Sequence, residues 1–217
     1  MEKAAQKAGR AAEEITLVAV TKTKPLEMIQ EALEAGQLDF GENYAQELRD
    51  KMAALADGRI RWHFIGGIQT NKVKYLIDGV HLIHSVDSVK LVDEIARRAG
   101  KAGMTKGVLI EVKLSAEDTK FGVDVEGLRK LLLAAISRPE LEVRGLMTMP
   151  PYFDDPEDSR PYYQNLREIR GEMEREFAGE LKLPLLSMGM SHDFEVAIQE
   201  GADIVRVGTA IFGPRAA

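Results

Sequence analysis

Ile15-Thr16-Leu17-Val18-Ala19-Val20-Thr21, then Lys22-Thr23-Lys24-Pro25, then Leu26-Glu27-Met28-Ile29-Gln30-Glu31-Ala32-Leu33-Glu34-Ala35-Gly36, is the stretch that decides the fold. Its first part is an apolar, β-branched run, the signature of a strand buried on both faces. Its last part, Pro25 to Ala35, has the apolar spacing of an amphipathic helix closed by glycine. The same unit recurs to the other end of the chain. Strands are expected at Ile15–Thr21, Leu38–Glu42, Trp62–Ile65, Leu82–Val86, Val108–Lys113, Val143–Met149, Leu185–Met188 and Ile204–Val207. Helices are expected between them at Pro25–Ala35, Ala45–Ala56, Thr70–Ile77, Ser88–Ala99, Val125–Ser137, Pro161–Phe177 and Phe194–Gln199. Strand and helix alternating in this way require a parallel sheet with right-handed crossovers, and eight repeats predict a closed (β/α)8 barrel of the TIM type. The alternative, an open doubly wound sheet, expects a Gly-rich turn after the first strand, and Thr21 to Pro25 contains no glycine.

The last strand is followed only by a short tail through Gly213-Pro214-Arg215, leaving no sequence for an eighth outer helix. The segment Glu2 to Glu14, helical in composition, is expected to cover that gap. The expected organisation is one domain over residues 1–217, with an extra N-terminal helix over 1–14, the barrel over 15–213 and no second β domain.

Composition narrows the function. The 217 residues, 45% of them hydrophobic, suffice for one sizeable core. A net charge of -6 argues against a general nucleic-acid or membrane-surface binder. The chain has no cysteine, which excludes disulfides and thiolate metal sites and favours a reducing compartment. The N-terminus lacks the apolar core of a secretory signal and no run is long enough to span a bilayer, so a soluble, cytoplasmic protein is expected.

Barrels place their sites at the C-terminal ends of the strands. The residues there are Lys22; Glu42 and Asn43; His63 and Gly66; His84, Ser85 and Asp87; Lys113; Met147 and Met149; Ser187 and Ser191; Arg206, Gly208 and Thr209. Lys22 is read either as a solvated strand-end lysine or as a desolvated amine able to form a Schiff base with a carbonyl. The turns Leu186 to Ser191 and Val207-Gly208-Thr209-Ala210 supply hydroxyls and backbone amides of the kind that bind phosphate at helix starts. Ser191-His192-Asp193 is also read as an N-cap for the helix from Phe194, and the two roles are compatible. A phosphorylated aldehyde fits this set.

Arg206 and Gly208 share one face of the last strand. A buried arginine there either forms a structural ion pair or faces a ligand ring nitrogen, which its permanent charge would keep unprotonated. His63, between Trp62 and Phe64, reads as a wall histidine rather than a general base. Asn43 and Glu42 are read as orienting groups or as turn formers. No His/Asp/Glu spacing suggests a metal. Lys120, in Asp118-Thr119-Lys120-Phe121-Gly122, is a second amine within reach of the mouth, and Pro150 to Pro161 reads as a mobile loop.

Several motifs in order carry a resemblance: Val20-Thr21-Lys22-Thr23-Lys24-Pro25, Phe40-Gly41-Glu42-Asn43-Tyr44, Trp62-His63-Phe64-Ile65-Gly66, Gln69-Thr70-Asn71-Lys72, His84-Ser85-Val86-Asp87, Lys120-Phe121-Gly122, Gly145-Leu146-Met147-Thr148-Met149, Leu186 to Ser191 and Val205 to Gly213. From Ile15 onward the chain closely resembles the pyridoxal 5'-phosphate homeostasis proteins, related in fold to the barrel domain of alanine racemase. The resemblance implies pyridoxal phosphate (PLP) held as a Schiff base on Lys22, with Ser191, Gly208 and Thr209 on the phosphate and Arg206 at the pyridine nitrogen. It also implies contributions from Asn43, His63 and Ser187, and lysines near the pocket at Lys24 and Lys120 that act as alternative amines or a release route. The expected role is a carrier in vitamin B6 homeostasis, storing and delivering PLP, with transient contact to apo-enzymes and a monomeric state. The alternative is a PLP-dependent amino-acid racemase.

Overall fold

The computed structural model describes residues 1–115 and 122–214. Eight parallel strands close into a barrel in chain order. They are β1 (Thr16–Val20), β2 (Asp39–Glu42), β3 (Arg61–Phe64), β4 (Val80–Val86), β5 (Lys106–Glu111), β6 (Leu141–Met147), β7 (Leu185–Ser187) and β8 (Ile204–Val207). Closure pairs β1 with β8, Val18 standing beside Arg206. The α-helices are α1 (Glu2–Lys7), α2 (Leu26–Glu34), α3 (Ala45–Ala54), α4 (Val89–Lys101), α5 (Val125–Ile136), α6 (Arg160–Glu176), α7 (Phe194–Gln199) and α8 (Thr209–Phe212).

Helices α2 to α7 turn a buried face inwards. In α4 the buried residues are Leu91, Val92, Ile95, Ala96 and Ala99, one face at helical spacing. In α5 the Asp124 carboxylate accepts the Gly127 N–H at 2.7 Å, a cap that contributes about 1 kcal/mol. Pro161 sits in the first turn of α6, where its missing N–H costs nothing. These stripes and the outer faces of the strands form one large core.

The inside of the barrel is a separate, smaller core of Val18, Leu82, Leu109, Met147 and Ile204, with Leu185 against it. Side chains two residues apart on a strand share a face. One step towards the mouth therefore replaces Leu82, Leu109, Leu185 and Ile204 by His84, Glu111, Ser187 and Arg206. All four of these polar residues are buried. The interior changes from apolar to polar just beneath the C-terminal rim.

Several details differ from the expectation, beginning with β4 and β6, which start two residues earlier, at Val80 and Leu141. Thr70–Tyr75 is a 3-10 helix rather than an α-helix reaching Ile77. Strand β5 begins at Lys106 instead of Val108, because Lys106 is buried and its Nζ donates to Val80 O at 2.6 Å, which an apolar run cannot reveal. The last strand is followed by a one-turn helix, α8, for which no room was expected. The N-terminal segment forms only the six-residue α1 and a 3-10 turn at Ala12–Glu14. Helix α1 packs on α7, and Arg10 anchors the segment by donating to Ala202 O at 2.7 Å and Asp203 Oδ1 at 2.8 Å.

Candidate cofactor-binding site

Lys22 follows β1 in a tight turn closed by the Lys24 N–H donating to Thr21 O at 2.9 Å. Thr23 takes a left-handed φ of 61° to complete it. A buried electrostatic knot holds this turn. Lys51 Nζ, reaching in from α3, donates to Thr21 O, Glu42 Oε1 and Glu47 Oε1, each at 2.7 Å. Thr21 Oγ1 donates to the same Glu42 oxygen at 2.6 Å, and the Thr23 N–H donates to Glu47 at 2.7 Å. Burial pushes the Glu42 carboxyl up, against the pull of Lys51 and Thr21.

A cavity of about 550 Å³ opens at the C-terminal mouth, a size suited to a small cofactor. It is lined by Val20, Lys22, Asn43, Ile65, Met149, Tyr152, Met190, Ser191, His192, Arg206, Gly208, Thr209 and Ala210. The buried Asn43 Oδ1 has no hydrogen-bond partner among the described residues and is an acceptor at the wall of the site. Gly66 lets the chain pass Asn43 closely, since a Cβ there would lie 2.2 Å from the Asn43 carbonyl oxygen.

The far end of the cavity is built by two turns tied to each other. Gly189, at φ 92°, turns the chain after β7, and its space is closed by Ala197 and Phe194. Asp193 stands at the N-cap position of α7, yet its side chain does not cap the helix. Its carboxylate instead accepts the Met190 N–H at 2.7 Å and the Tyr163 hydroxyl at 2.6 Å, and burial with this carboxylate pushes the Tyr163 phenol up. That leaves Ser191 to face the next turn, where its Oγ accepts the Gly208 N–H at 3.1 Å and the Ala210 N–H at 3.4 Å. Amides at a helix start beside a hydroxyl and a glycine suit a phosphate.

Arg206 forms the floor. Its Nη1 donates to Ser187 Oγ at 2.6 Å and its Nη2 to Thr148 O at 3.0 Å. These engage two of its five N–H donors. No carboxylate lies within ion-pair distance of it among the described residues. A buried cation with spare donors under the cavity fits an aromatic ring nitrogen. The donor set thus fits PLP at three points: an amine, a hydroxyl-and-amide phosphate turn, and a guanidinium. Among the described residues no three His, Asp or Glu gather into a possible metal site.

The profile of the family described as "Alanine racemase, N-terminal domain" matches residues 1–216. A protein of Aquifex aeolicus named "Pyridoxal phosphate homeostasis protein" is 51% identical over 99% of this chain and 93% of its own length. One of the same name from Pseudomonas aeruginosa is 41% identical over 98% of this chain and 90% of its own. The chain belongs to the pyridoxal phosphate homeostasis protein family, on the alanine racemase N-terminal domain fold. PipY of Synechococcus elongatus, solved with PLP bound, superposes with a TM-score of 0.88 at 34% identity, covering 97% of this chain and 100% of that one. The alanine racemase of Corynebacterium glutamicum shares the barrel alone, with a TM-score of 0.76 at 17% identity over 97% of this chain and 59% of that one.

Of the residues expected to contact the cofactor, Lys22, Asn43, Ser191, Arg206, Gly208 and Thr209 line the one cavity. His63 and Ser187 do not line it. Both are buried in the layer below, Ser187 under Arg206 and His63 further down. Lys24 donates to the carbonyls of Phe212, Gly213 and Pro214 at 2.9, 3.1 and 2.8 Å, which fastens the chain beyond α8. Lys120 lies outside the described residues. The loop from Pro150 carries a 3-10 turn at Pro156–Ser159 and brings Tyr152 to the rim. Sequence reasoning missed Lys51, although its place three residues after Leu48 and four before Leu55 puts it on the buried face of α3.

Proposed function

We propose that this protein binds pyridoxal 5'-phosphate in the mouth cavity through Lys22 and takes part in PLP homeostasis as a carrier. The cofactor supplies an aldehyde that condenses with a primary amine, releasing one water and leaving a C=N bond that water or another amine reverses. Lys22 is the amine at the wall. Ser191 with Gly208, Thr209 and Ala210 receives the phosphate, Arg206 meets the ring nitrogen, and Asn43 offers its acceptor to the ring substituents. Residues 1–217 act as one binding unit in this reading.

The observation that carries the reading is the convergence of Lys22, Arg206 and the Ser191/Gly208 turns on one cavity. The relatives named as homeostasis proteins support a carrier role. Arg206 supports it too, because a guanidinium keeps a facing ring nitrogen unprotonated and so weakens electron withdrawal at a substrate carbon. Delivery to apo-enzymes suits a rim that exposes Tyr152, Met149 and Ile211. A cytoplasmic location suits a described chain in which no helix is long and apolar enough to cross a membrane. The test is an absorption spectrum with added PLP, followed by borohydride reduction and peptide mapping. Modification confined to Lys22, with transfer to an apo-enzyme faster than free release, is expected. Modification scattered over surface lysines overturns the site, and amino-acid racemisation lost in Lys22→Ala overturns the carrier role.

A further inference from the structure

Beneath the cavity a single file of buried side chains runs from Arg206 to the opposite end of the barrel. Arg206 Nη1 meets Ser187 Oγ at 2.6 Å, and Ser187 Oγ meets His84 Nδ1 at 2.9 Å. His84 Nε2 meets His63 Nδ1 at 2.9 Å, and His63 Nε2 meets Asp39 Oδ1 at 2.9 Å. Asp39 opens β2 and pairs with Arg61, whose side chain is 46% exposed at the N-terminal end of β3.

For neutral imidazole rings the direction of every bond follows from the two ends. A guanidinium only donates and a carboxylate only accepts. The hydrogen bonds from His63 and Arg61 hold the Asp39 carboxyl at about 2, outweighing its burial, so it is ionised. His63 must then give its Nε2–H to Asp39. With both rings neutral, His63 Nδ1 accepts from His84 Nε2–H, and His84 Nδ1 accepts the Ser187 hydroxyl proton. Ser187 is left with only lone pairs for Arg206. The reverse direction would place two acceptors face to face at His63 and Asp39 unless His63 carried an extra proton. The groups facing the two rings are Asp39 on His63, Arg206 on the far side of His84, and His81 beside His63, and burial holds His84 well below the usual histidine range.

We propose that Asp39, His63 and His84 are positioning residues that act through Ser187 to orient the Arg206 guanidinium towards the cofactor ring. A carboxylate placed directly on Arg206 would orient it and also neutralise its field. A chain of neutral groups ending on a remote carboxylate orients it while leaving the charge directed at the cavity, and each bond polarises the next. The proposal rests on the cofactor reading for its consequence, but the chain itself is made of protein groups alone.

The test begins there. Long-range proton–nitrogen correlation on the 15N-labelled, PLP-free protein is expected to show both His63 and His84 as neutral Nε2–H tautomers, and an Nδ1–H tautomer at His84 overturns the chain. With ring-15N PLP bound, His84→Leu is expected to move the ring-nitrogen resonance and weaken binding about tenfold, the equivalent of losing one buried hydrogen bond. His84→Gln, which keeps one acceptor and one donor, is expected to restore most of both. His84→Leu with wild-type resonance and affinity overturns the proposal. If that variant does not fold, near-isosteric Asp39→Asn replaces it, with a shifted resonance expected and an unchanged one overturning. Failure of the wild-type protein to bind PLP at Lys22 overturns the cofactor reading separately, since the tautomers are read without cofactor.

Discussion

Replacing Glu111 by glutamine should make the protein more resistant to unfolding at alkaline pH, and the structure gives the size of the effect. Glu111 ends β5 on the inner face and is 4% exposed. Burial raises its carboxyl from 4.5 to about 7, Asp87 adding to the push and Arg206 opposing it. Between those values the folded protein keeps a proton that the unfolded chain has released. Stability from this group is therefore complete below 4.5 and is lost as pH rises to about 7. The interval is about 2.5 units at about 1.4 kcal/mol each, so about 3 kcal/mol is lost between about pH 4.5 and pH 8.

Glutamine keeps the shape and the neutral state at every pH, so Glu111→Gln should remove this loss. The assay is urea unfolding of both proteins without PLP at about pH 5 and about pH 8. His84, buried and neutral, gives a slope of the opposite sign as pH rises towards its ordinary 6.5. The difference between wild type and variant therefore carries the test. The variant should gain about 3 kcal/mol over wild type on going from the lower to the higher pH. Parallel pH curves would refute the assignment of a neutral buried carboxyl.

Lys51→Met leaves Glu42 buried without its cation and should cost about 3 kcal/mol in urea unfolding, with Glu42→Leu in the same chain recovering most of it; an unchanged midpoint contradicts the buried knot. Gly66→Ala drives a methyl group into the Asn43 carbonyl and should cost about 1–3 kcal/mol while weakening PLP binding; unaltered thermal stability and affinity would show that the loop moves freely. Ser191→Ala removes the acceptor for the Gly208 and Ala210 amides. Its affinity for PLP should fall about fivefold with that for pyridoxal unchanged, whereas equal losses for both ligands would remove Ser191 from the phosphate end.

The residues legible in the sequence are those whose position the local chain decides. Lys22, Asn43, Ser191, Gly208 and Thr209 each follow a strand within a few residues, so recognising the strand places them at the mouth. The same rule put His63, His84 and Ser187 there, and the barrel seats them lower. A closed barrel staggers its strands, so residues near different strand ends occupy different heights. Strand β7 is only three residues long and Ser187 is its last, which leaves that hydroxyl beneath Arg206 rather than beside the cavity.

Asp39 was passed over for a related reason. In sequence it is the polar lead-in to Phe40-Gly41-Glu42, and nothing local distinguishes it from a loop acid. Its partner His63 is 24 residues away, His84 is 21 beyond His63, and Ser187 is 103 beyond that. The first two contacts depend on the register of neighbouring strands β2, β3 and β4, and the third exists only because closure brings the inner faces of β4 and β7 together. Local pattern therefore reaches the groups that touch a ligand, whereas the groups that aim them become visible only with the register of the whole barrel. In a site where no carboxylate among the described residues lies within ion-pair distance of Arg206, that second set decides where its charge points.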